Sequence, residues 1–380
     1  MRILFLAGGS PATVYALIPL ATAARNAGHE TFMASTEAMM PVVAGFGLPA
    51  VPVTSAGMLE YLAKDRTGAP LEWPTDPVEH MTFIGRGFGR LAAASQPRLL
   101  ELAEAWRPDV VVGGMLSFGA ALLARRLGVP WVRHAWDSGE PPESDRGAWE
   151  ELAGELAALG LDEPLVPDLF VEICPPSLRP PGAGPAQQMR YVPCAPQRRL
   201  EPWMYTKGEH RRVMVTAGAR VNREQYLDFL RDLTGKVAKL DVEIVIATPD
   251  DVAADAAAGL DRVHAGWMPL DVIGPTCDLF VHHAGGGSSL MGMALGVPQL
   301  LMPNMAASVG PSERLTAYGA ALMLTPGEDD GVEEVVSACR TLLDDPSYTE
   351  RAGELAAEIR AQPLPTEVLG TVVDLAASRS

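Results

Sequence analysis

Cys277–Met302 reads CDLFVHHAGGGSSLMGMALGVPQLLM, and it holds every part of one parallel α/β unit. The apolar run 277–282 is short enough for a buried strand. Gly285, Gly286 and Gly287 then form a turn, and 289–295 is apolar with helical character. Gly296-Val297-Pro298 stops that helix, and 299–302 is again a strand. Strand, glycine turn, helix and second strand make a βαβ unit. The turn carries chemistry as well. Without side chains at three successive positions, the backbone N–H groups of Gly286, Gly287 and Ser288 can approach an anion. The helix N-terminus adds roughly half a positive charge, and His283 can donate a further hydrogen bond. The plain alternative is a turn that only packs a helix on a strand.

The same alternation runs along most of the chain. Residues 3–7 read as a strand, Gly8-Gly9-Ser10-Pro11 as its turn, and 14–26 as a helix stopped by Gly28. Strands are expected at 30–34, 110–112 and 131–134, with a helix over 118–127. After residue 200 come strands at 212–216, 242–247 and 262–264, and a helix over 224–233. These are two doubly wound, Rossmann-like halves, expected to bind ligands in a cleft between them at the carboxyl ends of the strands. The first half is expected to span 1–200 and the second 201–362, with a C-terminal helix at 363–380 packing back on the first. Between 139 and 200 the character changes to a charged helical patch over 146–159 and a proline-rich stretch. That segment reads as a surface excursion and linker.

Composition narrows the function classes. Hydrophobic residues make up 48% and charged residues 20% of the 380, as in packed globular proteins. The formal net charge of −17 repels nucleic acid and anionic membranes, so neither is an expected partner. A phosphate ligand must then be held by local features. Cys174, Cys194, Cys277 and Cys339 lie far apart without zinc spacing, which fits reduced thiols in a cytoplasm. The opening MRILFLAGG is too short an apolar run for a signal peptide and reads as a strand. The first turn, GGSPAT at 8–13, does not match the GxGxxG of nicotinamide- and flavin-binding folds.

At the 282–289 turn the chain resembles family-1 inverting glycosyltransferases of the GT-B fold, specifically actinomycete enzymes that decorate aromatic polyketides. The likeness covers nearly the whole chain. Its residues include Ala27-Gly28-His29-Glu30, Trp106-Arg107-Pro108-Asp109 and Cys174-Pro175-Pro176-Ser177-Leu178-Arg179. The most specific run is Gly266-Trp267-Met268-Pro269-Leu270, Pro275-Thr276-Cys277-Asp278-Leu279, the 282–289 turn, and Gly296-Val297-Pro298-Gln299-Leu300, in that order and spacing. Among such enzymes the chain is most similar to urdamycin-type C-glycosyltransferases, which attach a 2,6-dideoxysugar such as D-olivose to carbon. The resemblance implies a thymidine-diphosphate sugar as co-substrate, with no separate cofactor. It implies that the turn grips the diphosphate, that Trp267 stacks on the nucleobase and that Met268 contacts it through its backbone. Gly218-Ala219-Arg220 would face the phosphates, with Arg220 neutralising the leaving group. No metal is then required, and no Asp-x-Asp motif is placed to hold one.

The acceptor side departs from the family pattern. Many relatives carry a catalytic histidine after the first strand, and Thr13 stands in that slot. A threonine hydroxyl is no base near neutral pH. Asp137, just past the strand 131–134 and inside the shared Ala135-Trp136-Asp137, is the expected base. An ordinary Asp (about 3.9) and phenol (about 10) differ by about 8 kcal/mol in proton affinity. Burial beside Trp136 would narrow that gap. His134 is the rival base. Ser10, Thr13, Tyr15, His134 and Trp136 are further expected acceptor or donor contacts. Trp73-Pro74-Thr75-Asp76 and 83–88 line an acceptor pocket or pack a lid. Where relatives show an Asp-Gln pair for sugar hydroxyls, this chain has Ala307-Ser308. That exchange fits a sugar with fewer hydroxyls. The expected activity is transfer of a D-olivose-like sugar to a ring carbon of an angucycline- or tetracycline-type aromatic polyketide in antibiotic biosynthesis. O-glycosylation of the same aglycones, a sugar-nucleotide epimerase or hydrolase, and a non-catalytic partner of the same fold remain as rivals. A homodimer is left open.

Overall fold

The structure is a computed structural model that describes residues 1–139, 141–219 and 221–379. By backbone proximity the chain forms two compact units. The first comprises Met1–Cys174, Pro180–Arg190 and the chain from Gln362 onward, and the second Pro175–Arg179 and Tyr191–Ala361. The division therefore does not run at residue 200.

The first unit is built on a seven-stranded sheet ordered β3-β2-β1-β4-β5-β6-β7. Its strands are β1 (Arg2–Leu6), β2 (Glu30–Thr36), β3 (Ala50–Thr54), β4 (Val110–Gly114), β5 (Trp131–His134), β6 (Leu169–Glu172) and β7 (Gln187–Gln188). All neighbours pair parallel. Parallel strands are covered on both faces, so β1 and β4 carry continuous apolar runs, with Ile3, Leu4, Phe5, Val110, Val111 and Val112 wholly buried. The C-terminal helix Pro365–Ala377 packs on the helix Ile18–Asn26 of this unit.

The second unit has a six-stranded parallel sheet ordered β10-β9-β8-β11-β12-β13. Its strands are β8 (Arg212–Thr216), β9 (Glu243–Ala247), β10 (Val263–Gly266), β11 (Leu279–His282), β12 (Gln299–Leu301) and β13 (Ala321–Met323). The strand order reverses between β1 and β4 in the first sheet and between β8 and β11 in the second. Loops leaving the carboxyl ends of such a pair diverge to opposite faces and leave a crevice. This is the doubly wound, two-domain α/β class that the alternation predicts.

The expectation for 139–200 is corrected. Residues 139–174 and 180–190 belong to the first unit and extend its sheet by β6 and β7. The helix Pro142–Glu151 packs tightly on the long helix Pro77–Ala105. A Cβ on Gly85 would lie 2.0 Å from the Ser144 carbonyl oxygen, and one on Gly147 would lie 2.0 Å from that of Thr82. Ala148 and Leu152 are fully buried, and Trp149 sets its edge on Phe118 at 5.2 Å. The charged look of this stretch comes from acidic residues held in ion pairs around that contact. There Arg66 and Arg90 pair with Glu151, and Arg133 with Asp145. Glycine-mediated contact between helices leaves no apolar stripe to read.

Candidate active site

The 282–289 turn leaves β11 at the reversal point of the second sheet. The helix begins at Gly286, with Gly285 as its N-cap. The first bond of its ladder runs from the Ser289 N–H to the Gly285 carbonyl at 3.0 Å. The amides of Gly286, Gly287 and Ser288 therefore precede the ladder and have no acceptor inside the helix. Ala284 sits at φ +57, a conformation uncommon without glycine, which turns the chain sharply between strand and helix.

Two histidines divide the work at this turn. His282 ends β11 with no exposed surface. Its Nε2 lies 2.9 Å from Gln299 Oε1, and its Nδ1 lies 3.1 Å from the Ala284 amide nitrogen. The Ala284 N–H needs an acceptor, so Nδ1 is the bare nitrogen and Nε2–H donates to Gln299. Gln299 in turn donates to the Ser289 carbonyl at 3.2 Å. Burial lowers the His282 pKa to about 4, only partly offset by the Gln299 bond, so the ring stays neutral. His282 is thus a brace from strand to helix. The sequence reading assigns it no role, and its only advance sign is its place as the last inward residue of an apolar strand.

His283, one residue on, is half-buried. Its ring lies over the backbone of two glycines. A Cβ on Gly285 would lie 2.4 Å from Nε2, and one on Gly218 would lie 2.8 Å from Cε1. Gly218 follows β8, the neighbouring strand, with φ +88. Its N–H donates to Thr216 Oγ1 at 3.0 Å, and Thr216 donates to the Ala247 carbonyl at 2.7 Å. The structure therefore brings Gly218, His283 and the Gly286–Ser288 amides together. Arg220, expected beside them, lies outside the described residues.

Trp267 and Met268 follow β10 in the same unit. The Met268 side chain is buried in a core with Met214, Phe280 and Ile273, so only its backbone is left for a ligand. Trp267 is half-buried, with its indole N–H donating to the Pro196 carbonyl at 3.2 Å. Ala307 and Ser308 lie in the first turn of the helix Ala306–Tyr318, which follows β12.

In the first unit, Thr13 is buried. Its hydroxyl donates to the Ser10 carbonyl at 2.7 Å, and its Oγ1 lies 3.3 Å from the Ser10 amide nitrogen. Both residues hold the start of the short helix Pro11–Tyr15. Tyr15 meets Phe46 edge-on at 5.7 Å. His134 departs from its expected role. It has no exposed surface, its Nδ1 lies 2.5 Å from the Ala135 carbonyl, and burial lowers its pKa to about 4. It is enclosed at the end of β5, all four of whose residues are buried. Trp136 and Asp137 lie beyond the strand end and are half-buried. Asp137 Oδ1 accepts the Ser138 N–H at 2.5 Å and the Ser138 hydroxyl at 3.2 Å. Asp76 caps the helix Pro77–Ala105 through the Val78 and Glu79 amides. Phe88 and Phe118 line a cavity of about 20 Å³ with Leu6, Thr36 and Leu116. Among the described residues, no three His, Cys, Asp or Glu side chains are grouped to hold a metal ion.

Comparison with known proteins places this architecture. Residues 88–218 match the N-terminal, and 231–375 the C-terminal, domain model described as erythromycin biosynthesis protein CIII-like. The chain is 31% identical to an L-demethylnoviosyl transferase of Streptomyces niveus over 97% of its own length and 96% of the relative's. It is 26% identical to the aclacinomycin-T 2-deoxy-L-fucose transferase of Streptomyces galilaeus, covering 99% and 96% of the two chains. Its fold superposes on the glycosyltransferase SsfS6 of Streptomyces sp. SF2575, solved with thymidine diphosphate. The TM-score is 0.87 at 35% identity, over 98% of this chain and 99% of that one. With two Rossmann-like sheets and an open helix start at the second reversal point, the chain belongs to the erythromycin biosynthesis protein CIII-like family and is a GT-B glycosyltransferase.

Proposed function

We propose that the protein is an inverting C-glycosyltransferase. It moves a 2,6-dideoxysugar from a thymidine-diphosphate donor to a ring carbon of an aromatic polyketide. The observation that carries the donor half is the 282–289 turn. Three amides stand ahead of the helix ladder beside His283, and bare glycine backbone lies opposite at Gly218. That array suits a diphosphate. Trp267 would stack on the base, Met268 would meet it through its backbone, and Arg220 would offset the leaving-group charge without a metal. The thymidine diphosphate held by SsfS6 and the deoxysugar named for the aclacinomycin-T relative support this reading. So does Ala307-Ser308 at the start of its helix.

For the acceptor half, the first unit holds a phenolic polyketide. Thr13 is committed to its helix cap, and His134 is enclosed. Asp137 is the acidic group left at the carboxyl end of β5. It takes the phenol proton as the ortho carbon attacks the anomeric carbon and the anomeric C–O bond to the diphosphate breaks. Water then takes the ring proton, Asp137 returns its proton to the ring-bound oxygen, and aromaticity is restored. The test is product formation by Asp137→Ala and Asp137→Asn. Both are expected to lose 10²-fold or more in kcat, about the contribution of a general base. Near wild-type kcat in both would remove Asp137 from the role. Acid treatment of the wild-type product distinguishes the linkage: a C-glycoside resists, and release of sugar assigns O-transfer instead.

A further inference from the structure

Residues 191–198 open the long second segment, Tyr191–Ala361, of the second unit, and their hydrogen bonds converge on Trp267. The Pro196 carbonyl accepts the indole N–H at 3.2 Å. Arg198 Nη1 donates to the Trp267 carbonyl at 2.6 Å and to Asp250 Oδ1 at 3.1 Å. That same carboxylate oxygen accepts the Trp267 N–H at 2.8 Å. Gln197 ties the stretch to Asp271 at 3.1 Å. Trp267 is thus held at its ring edge, its amide and its carbonyl. Gly266 permits the arrangement. Its φ is +143, and a Cβ there would lie 2.8 Å from Asp250 Oδ1. At its other end the stretch reaches the phosphate turn, where the Tyr191 hydroxyl donates to the Gly287 carbonyl at 3.4 Å.

Folding stability does not account for this cluster. The Arg198 and Asp250 side chains are 42% and 64% exposed, and such pairs contribute little in water. What the contacts do is fix the orientation of a large ring that core packing only half encloses. A preorganised aromatic face is what stacking on a planar ring requires.

We propose that residues 191–198 form a base clamp. Pro196 and Arg198, with Asp250, are positioning residues that hold Trp267 ready for the nucleobase of a nucleoside-diphosphate sugar. The proposal rests on Trp267 being the base-stacking residue. The test uses the full chain with Arg198→Ala, Arg198→Lys and Trp267→Ala. Calorimetric Kd for thymidine diphosphate, donor KM, kcat and Tm are measured for each. Arg198→Ala is expected to raise Kd and donor KM about 5- to 10-fold, the net effect of one ordinary hydrogen bond. Its kcat at saturating donor stays unchanged, and its Tm stays within about 2 °C of wild type. Arg198→Lys recovers part of the affinity, because one ammonium N–H can still reach the carbonyl. If Trp267→Ala weakens binding and Arg198→Ala does not, the clamp is wrong and the base site stands. If Trp267→Ala also binds normally, the base site itself is wrong and the clamp falls with it. A Tm drop in Arg198→Ala with unchanged Kd would make the cluster structural and overturn the proposal.

Discussion

A single buried side chain can fix the conformation of a loop, and His282 is the case here. Its ring joins the Ala284 amide to Gln299, and Gln299 reaches Ser289. The end of β11 is thereby tied to the start of the helix. Replacing His282 by Ala leaves the Ala284 N–H and Gln299 Oε1 buried without partners. We expect a loss of about 2–4 kcal/mol and a raised donor KM, read by denaturant titration and initial rates. The same ring sets a pH dependence. His282 and His134 have folded pKa values of about 4 against 6.5 for the ordinary residue. Between those values the unfolded chain binds more protons than the folded one, so stability falls as pH drops from 6.5 to 4. At roughly 1.4 kcal/mol per unit, each ring contributes about 3 kcal/mol at most. Urea titrations at pH 4.5 and 7 are expected to show this loss. A His134→Gln, His282→Gln double variant is expected to show a smaller difference between the two pH values than wild type. An equal difference would assign the acid sensitivity to the carboxylates.

At the scale of elements, the contact between Pro77–Ala105 and Pro142–Glu151 shows how glycine replaces apolar surface. The two helices approach until the backbone of one touches the backbone of the other at Gly85 and Gly147. Gly147→Ala is expected to force them apart and to cost about 3 kcal/mol or more, since the blocking atom is a carbonyl oxygen that cannot rotate away. Gly154 provides the control. It lies in the helix Ala153–Ala158, is exposed, and has open space where a Cβ would go. Gly154→Ala should stabilise the protein by about 0.5–1 kcal/mol through helix propensity alone. Thermal melts of the two variants should move in opposite directions. A Gly147→Ala variant with wild-type Tm would show that the helices can separate freely.

For the whole molecule, order along the chain is not order in space. The first unit holds both chain ends, and its last helix, Pro365–Ala377, buries Val368, Leu369, Val372 and Ala376. Deleting residues 363–380 should expose that surface on Ile18–Asn26 and cost on the order of 5 kcal/mol. The truncated protein is expected to melt far below wild type or to aggregate on expression. A truncation with unchanged Tm would mean the helix is an ornament of the first unit and not part of its core.

The strands were readable because a parallel strand is buried on both faces, so β1, β4, β8 and β11 are continuous apolar runs ended by glycine. The glycine turn at 285–287 was readable for a related reason. A sharp passage from strand to helix, with the His283 ring close against Gly285, leaves no room for a side chain and so marks the sequence with glycine. The missed elements carry no such mark. β6 and β7 are short pieces at one end of the sheet, near prolines, and Pro142–Glu151 packs through glycines while its charges pair with Arg66, Arg90 and Arg133 outside the helix. The same limit holds at the site. Residue type alone offers His134 as a rival base and Thr13 as a ligand contact. Only the packing around β5 and the bonds at Ser10 show that one ring is enclosed and one hydroxyl is committed. Pattern records what a residue needs from its own element. Which distant group satisfies that need is settled by packing, because the partner can come from anywhere in the chain.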